Sequence, residues 1–216
     1  MTEILVANNS HVKYAETVCR LMYESALKRG TGIAKRSPEY VAAKMEEGKA
    51  IVAVCGDRLI GFSYIESWQH KRFVANSGLI VDPEFRNTGL ARKIKRAIFD
   101  LSRQLYPDAK IFSITTGLAV MKLNSELGYV PVTFSELTDD DEFWKGCEGC
   151  RNYHILQENN RRMCLCTGML YDPEKQLSTA KKPVIDDSVR EMIREKMLSP
   201  KRIAQLRKNL RKIHLI

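Results

Sequence analysis

The hydrophobic pattern of this chain changes period several times, and each change marks an element. From Tyr14 to Lys28 the apolar residues Val18, Leu21, Met22 and Ala26 recur at helical spacing, and Arg29-Gly30-Thr31-Gly32 ends the run. Ser37-Pro38-Glu39 reads as a helix start, with serine at the cap and proline at the first helical position; the helix it opens stops at Gly48. AIVAVCG and RLIGFSYIES are strand-length apolar runs joined by Gly56-Asp57, a hairpin signal. RFVANSGLIVD predicts a third strand, and helical periodicity returns from Leu90 to Leu105. AKIFSITT follows as a fourth strand, LAVMKLNSEL as a short helix closed by Gly128, and YVPVTFS as a fifth strand. An irregular stretch, ELTDDDEFWKGCEGCRNYHILQENNRR, precedes a last strand, MCLCTGMLY.

The expected order is helix, helix, three strands, helix, strand, helix, two strands. Hairpins come first and strand-helix-strand units later, so the fold class is α+β, with a mixed central sheet flanked by helices. Asp172-Pro173 closes the domain. Residues 1–173 are read as that domain, with an insertion at 136–162, residues 174–188 as a linker, and 189–216 as a basic helical tail split at Ser199-Pro200.

Charge sharpens the division. The net charge is +9, and the segment from Glu174 onward carries twelve Lys and Arg against five Asp and Glu. That leaves +2 for the first 173 residues, which argues against a nucleic-acid platform in the body. The tail's apolar residues, Val189, Met192, Ile193, Met197, Ile203, Leu206, Leu210 and Ile213, fall at helical spacing, as expected for packing on the body or for a homodimer contact. No apolar window approaches the roughly 18 residues of a membrane helix, and the N-terminus lacks a basic region followed by an apolar one. A cytoplasmic protein without membrane contact is expected.

The candidate chemistry starts in VDPEFRNTGLARK. A loop between a strand and a helix leaves backbone amides unpaired, and the helix macrodipole adds positive character there. Gly89 permits close approach of an anion, Ala91 lets the helix pack near the sheet, and Arg86, Arg92 and Lys93 surround the turn with charge. This is the physics of a diphosphate site. In the sequence Leu79, Val81, Pro83, Arg86, Gly89 and Ala91, followed at the right distance by Gly128-Tyr129, the chain resembles the GNAT superfamily of N-acetyltransferases over about residues 1–172.

The resemblance implies an acyl-coenzyme A co-substrate, acetyl-CoA or another acyl-CoA. The backbone of Arg86, Asn87, Thr88, Gly89, Leu90, Ala91 and Arg92 would hold its pyrophosphate. The strand at Leu79, Ile80 and Val81 would pair with the pantetheine arm, and one of its amides could polarise the thioester carbonyl. It also implies direct attack of an amine, with a proton leaving the amine and one reaching the departing thiolate. Two positions depart from the family pattern. Where the family often has a tyrosine acid stands Asn124, which can hydrogen-bond the sulfur but supplies no proton near neutral pH. Where it often has a glutamate base stands Ala75, followed by Asn76; Glu66 and His70 are the nearest replacements.

Six cysteines are present, and four fall late in the chain. Cys147 and Cys150 form C-x-x-C, and Cys164 and Cys166 form C-x-C on an expected strand. Four thiolates brought together suit a tetrahedral structural zinc; the alternative is four reduced thiols with the last two in the core.

The acceptor is expected to be a small-molecule amine. Lys28, Arg29, Lys35 and Arg36 suit a carboxylate-bearing acceptor, whereas TDDDEFW suits a basic one. LNSELGYVPVTFSELTDDDEFWKGC looks like a group of bacterial acetyltransferases associated with arginine biosynthesis, which would imply glutamate or a near relative acylated on its α-amine, by acetyl or succinyl transfer. Protein or peptide N-acetylation is a second reading. A catalytically inactive, CoA-binding regulatory module is a third.

Overall fold

A computed structural model of the protein describes residues 1–30 and 35–180. The chain divides into two compact units, Met1–Gln176 and Leu177–Ile216. The basic tail, and with it the expected dimer contact, lies outside the described residues, as do Thr31 to Ala34.

The first unit is built on one seven-stranded sheet. Its strands are β1 (Thr2–Val6), β2 (Ala50–Cys55), β3 (Arg58–Trp68), β4 (Phe73–Val81), β5 (Lys110–Thr115), β6 (Val130–Val132) and β7 (Thr167–Tyr171). They run in the order β1-β2-β3-β4-β5-β7-β6. Every pair is antiparallel except β4 with β5, so the sheet is mixed. The helices are α1 (Ala15–Arg29), α2 (Pro38–Glu46), α3 (Leu90–Leu105), α4 (Leu118–Glu126), α5 (Asp141–Lys145), α6 (Tyr153–Glu158) and α7 (Pro173–Ala180).

Local sequence explains the helix starts and stops. Ser37 caps α2, its hydroxyl accepting from the Tyr40 amide, and Pro38 fills a position whose N–H would have no partner. Gly30, in the left-handed conformation, ends α1 by donating to the Ala26 and Leu27 carbonyls.

Three apolar clusters hold the layers together. On one face α3 lays Ile94, Ile98, Phe99 and Leu101 against Ile60, Ile65, Val74 and Ile111 of the sheet. On the other, α1 and α2 lay Val18, Met22, Val41 and Met45 against Val52, Phe62, Tyr64 and Ile80. Full burial of such side chains stabilises by about 1.5–3 kcal/mol each, so these two clusters are the main source of stability. The third cluster lies under the insertion, where Phe134, Leu137, Trp144 and Leu156 cover Ala75 and Phe112.

Several expectations need correction. Strand β1 was not expected: Thr2–Val6 has a weak pattern with most positions exposed, and its pairing with β2 is what makes it a strand. The stretch expected as a fifth strand shortens to Val130–Val132 because Pro131 leaves it only an edge role beside β7. The insertion is not irregular. It folds into α5 and α6 around buried Trp144, whose indole N–H donates to the Thr138 carbonyl at 2.9 Å. The last strand begins only at Thr167, so Cys164 and Cys166 lie in the loop before it. The segment expected as a linker opens as helix α7.

Candidate active site

The central feature is a notch between β4 and β5. The two strands pair only from Phe73 to Ala75 against Lys110 to Phe112. From Asn76 onward β4 has no partner on that edge among the described residues, because its course changes. Phe62 of β3 faces Ile80 and Tyr64 faces Ser77, so β4 carries one residue more than β3 over this stretch. That bulge contains Gly78 with φ +64; a Cβ there would lie 2.5 Å from the Tyr64 ring and 2.6 Å from the Met22 methyl, so only glycine fits. The result is a cavity of about 190 Å³, reached from both faces of the sheet and lined by Asn76, Leu79 and Ser113 among others. An unpaired strand edge beside a slot can take an extended ligand as an added strand.

The loop expected to hold a diphosphate stands at the end of β4. Asp82 is buried and accepts from the Glu84 amide at 3.0 Å, which turns the chain. Arg58 clamps it by ion pairs to Asp82 at 2.8 Å and Glu84 at 2.6 Å. Arg86 folds back to donate to the Val81 carbonyl at 3.2 Å, and the Thr88 hydroxyl donates to the Phe85 carbonyl at 2.7 Å. Asn87 and Gly89 are both left-handed, at φ +63 and +79. Among the described residues, no hydrogen bond occupies the backbone amides of Asn87, Thr88, Gly89, Leu90, Ala91 or Arg92. A Cβ on Gly89 would meet nothing within 4 Å, so the loop is open at that point. Free amides at the start of a helix can hold an anion. Arg92 pairs with Glu126 at 2.8 Å and ties the start of α3 to the end of α4.

Glu66 stands at the notch's mouth on the face covered by α1 and α2. In the β3–β4 ladder it lies directly across from Ala75, the position where a family glutamate would stand. A carboxylate one strand over thus occupies the same patch of sheet. It is only 6% exposed, yet it lines the notch. Tyr40 donates a short hydrogen bond to one of its oxygens, Ser77 donates to the other at 3.0 Å, and the Arg36 guanidinium sits at 3.7 Å. Arg36 also donates from Nε to the Tyr64 hydroxyl at 2.9 Å. Burial, followed by the charge on Glu66, pushes both tyrosine hydroxyls far above the ordinary range, so both stay neutral, Tyr40 donating to Glu66 and Tyr64 accepting from Arg36. For Arg36 burial opposes the charge, but Tyr64 and Glu66 outweigh it and raise its pKa. In the sequence Arg36 stands out only as part of a basic run, and Tyr40, Tyr64 and Ser77 do not stand out at all. The one sequence signal for them is position: Ser77 lies two residues from Ala75, on the same face of β4.

The other expected residues separate. Asn124 is fully buried near the end of α4, and its side-chain amide donates to the Ser113 hydroxyl at 2.9 Å. Ser113 lines the notch, so Asn124 reaches it through that hydroxyl. His70 lies in an exposed turn in which Gln69, His70 and Lys71 all have positive φ. It lines none of the cavities described and is not brought to the site.

The four late cysteines do come together: Cys147, Cys150, Cys164 and Cys166 line one small apolar pocket behind the notch. The expectation of zinc is not met. Among the described residues, no group of three or more His, Cys, Asp or Glu side chains is arranged to hold a metal ion. Burial comes first in setting their chemistry. It pushes the Cys147 thiol up to about 11, with Cys150 and Cys164 adding to it, and the Cys166 thiol up to about 12.

Comparison with known proteins agrees with this geometry. Residues 19–124, from α1 through α4, match the model of the acetyltransferase (GNAT) family. A search of curated protein sequences found no match. Among solved structures, the chain is similar to N-acetylglutamate synthase from Neisseria gonorrhoeae, complexed with coenzyme A and N-acetyl-glutamate, at 14% identity and a TM-score of 0.56. That alignment covers 80% of this chain but only 35% of the synthase. A protein of Mycobacterium tuberculosis in complex with CoA matches at 14% identity and TM-score 0.56 over 79% of this chain and 98% of its own. A phosphinothricin acetyltransferase from Sinorhizobium meliloti in complex with AcCoA matches at 14% and 0.53 over 79% and 88%. At these identities the structures show a shared fold. The match to the GNAT acetyltransferase family model spans residues 19–124, the stretch that carries the notch and its anion loop.

Proposed function

We propose that the protein transfers an acyl group from coenzyme A directly to the amine of a small carboxylate-bearing molecule, an amino acid such as glutamate. The amides from Asn87 to Arg92 bind the pyrophosphate. The free edge of β4 beyond Asn76 pairs with the pantetheine arm and presents the thioester at the bulge. Glu66, on the far face of the notch, receives the proton that the attacking nitrogen loses as the new C–N bond forms and the C–S bond breaks. A thiolate leaves readily, so the chemistry tolerates Asn124 where the family often has an acid. Transfer is direct from thioester to amine, with no acyl group held on the protein.

The observation that carries the acceptor class is the placement of Arg36. Its guanidinium has five N–H donors, and the bonds to Tyr64 and the Lys35 carbonyl leave some free at the notch's mouth, beside the proton acceptor. An α-amino acid carries its amine and carboxylate at a fixed short separation, which suits an adjacent Glu66 and Arg36. The test is free-thiol release from acyl-CoA against a panel of amino acids and short peptides. Arg36→Gln is expected to raise the KM of amino-acid acceptors by roughly 10- to 100-fold, the range of one charged hydrogen bond, with a smaller change in kcat. Turnover of peptides alone, insensitive to Arg36, would contradict the amino-acid reading and favour peptide N-acetylation.

A further inference from the structure

Helix α3 buries a lysine. Lys95 is 2% exposed, in a stretch where its neighbours Ile94 and Ile98 pack on the sheet. Among the described residues it has no ion-pair partner, and its nearest aromatic contact is the Tyr129 ring, 5.0 Å from the ammonium. An unpaired ammonium in such surroundings costs several kcal/mol, so a leucine or methionine would serve the core better. Burial alone draws its pKa down to about 7, with no charged neighbour contributing. The titratable groups on the surrounding elements are Tyr129 before β6, Arg92, Lys93, Arg96 and Asp100 on α3, and Glu126 on α4, all but Tyr129 along an outer groove that Lys95 also lines. None of them neutralises it.

Besides that groove, the lysine lines the notch. It lines that cavity together with Asn76 and Ser113, whose side chains lie on the α3 face: Asn76 donates to Ser102 of α3 at 2.8 Å, and Ser113 accepts from Asn124. Glu66 and Arg36 occupy the opposite face. The slot therefore has an amine-activating side and a cationic floor, and the missing anion has room inside it.

Resting on the reading of the notch as an acyl-CoA site, we propose that Lys95 receives the terminal carboxylate of the acyl group, so that the preferred donor is the coenzyme A thioester of a dicarboxylic acid, of which succinyl-CoA is the probe. The carboxylate completes an ion pair the fold leaves half-made. A neutral acyl chain of the same length leaves the ammonium without a partner. Acetyl groups are accommodated but gain nothing from it.

The experiment is calorimetric binding of succinyl-CoA, butyryl-CoA and acetyl-CoA to the full chain, without any amine. Succinyl-CoA is expected to bind at least 10-fold more tightly than butyryl-CoA. At pH 8 its binding should take up about one proton, seen as a dependence of the heat on the buffer's ionisation enthalpy, because a lysine mostly neutral when free becomes charged when paired. Lys95→Met is expected to bring succinyl- and butyryl-CoA to parity and to abolish the proton uptake. Equal binding of the two thioesters by the unaltered protein overturns the inference, and so does a preference that survives Lys95→Met. Both leave the acyltransferase reading standing. Failure of all three thioesters to bind would overturn that reading as well. The comparison within the unaltered protein needs no variant to fold.

Discussion

Gly89→Glu is expected to weaken acyl-CoA binding by at least 100-fold while the protein stays folded. Gly89 starts α3 in the left-handed conformation, and a side chain there enters open space. That space is where the proposed function puts the pyrophosphate. A carboxylate placed about 4 Å from the phosphate charge costs roughly 4 kcal/mol at the effective dielectric of a protein surface, which is more than the stated loss requires. The backbone strain is smaller, about 1–2 kcal/mol for a residue other than glycine at this φ. Gly89→Asn separates the two effects, because asparagine tolerates the left-handed region, as Asn87 already does at φ +63, and adds no charge. Titration calorimetry with coenzyme A should show Gly89→Asn close to the unaltered protein and Gly89→Glu far weaker. Equal affinity for all three would remove the pyrophosphate from this loop.

The second large effect is expected at Glu66. Glu66→Gln keeps the shape of the side chain and leaves Tyr40 and Ser77 able to hydrogen-bond to it. It removes the group proposed to take the proton from the amine. General-base catalysis is typically worth 10²- to 10⁴-fold, so kcat should fall by about that factor, with acyl-CoA affinity little changed. Raising the pH should recover part of the lost rate, because more of the amine is then deprotonated in solution. A variant that retains most of its kcat across the pH range would show that Glu66 is only a structural anchor for Tyr40 and Arg36.

Much of the site could be read from the sequence because it resides in contiguous segments. The anion loop is one such segment: its glycine, its helix start and its basic residues lie within Arg86 to Lys93, and local chemistry together with the family resemblance points to a free-amide site. The catalytic side was less legible because its parts are brought together by strand register. Nothing local says that Glu66 faces Ala75, or that Tyr40 and Ser77 reach the two oxygens of one carboxylate. His70 shows the opposite error. It is close in sequence to the right strands, but a turn of three left-handed residues keeps it in solvent. Lys95 was hidden by its helix, where one lysine among several basic residues looks like part of the solvated face; only its burial separates it from Lys93 and Arg96. The cysteines illustrate the limit of spacing arguments. Their two pairs do gather in one pocket, yet the strand that was to aim Cys164 and Cys166 begins after both.

The measurement that bears most directly on the central claim is a rapid time course of coenzyme A thiol release with glutamate present and absent. Direct transfer in the notch requires that release depend on the amine, start without a burst, and match acylated glutamate one for one. Thiol released before any amine is added, leaving an acyl group on the protein, would contradict that claim, as would bound coenzyme A with no release from any amine in the panel.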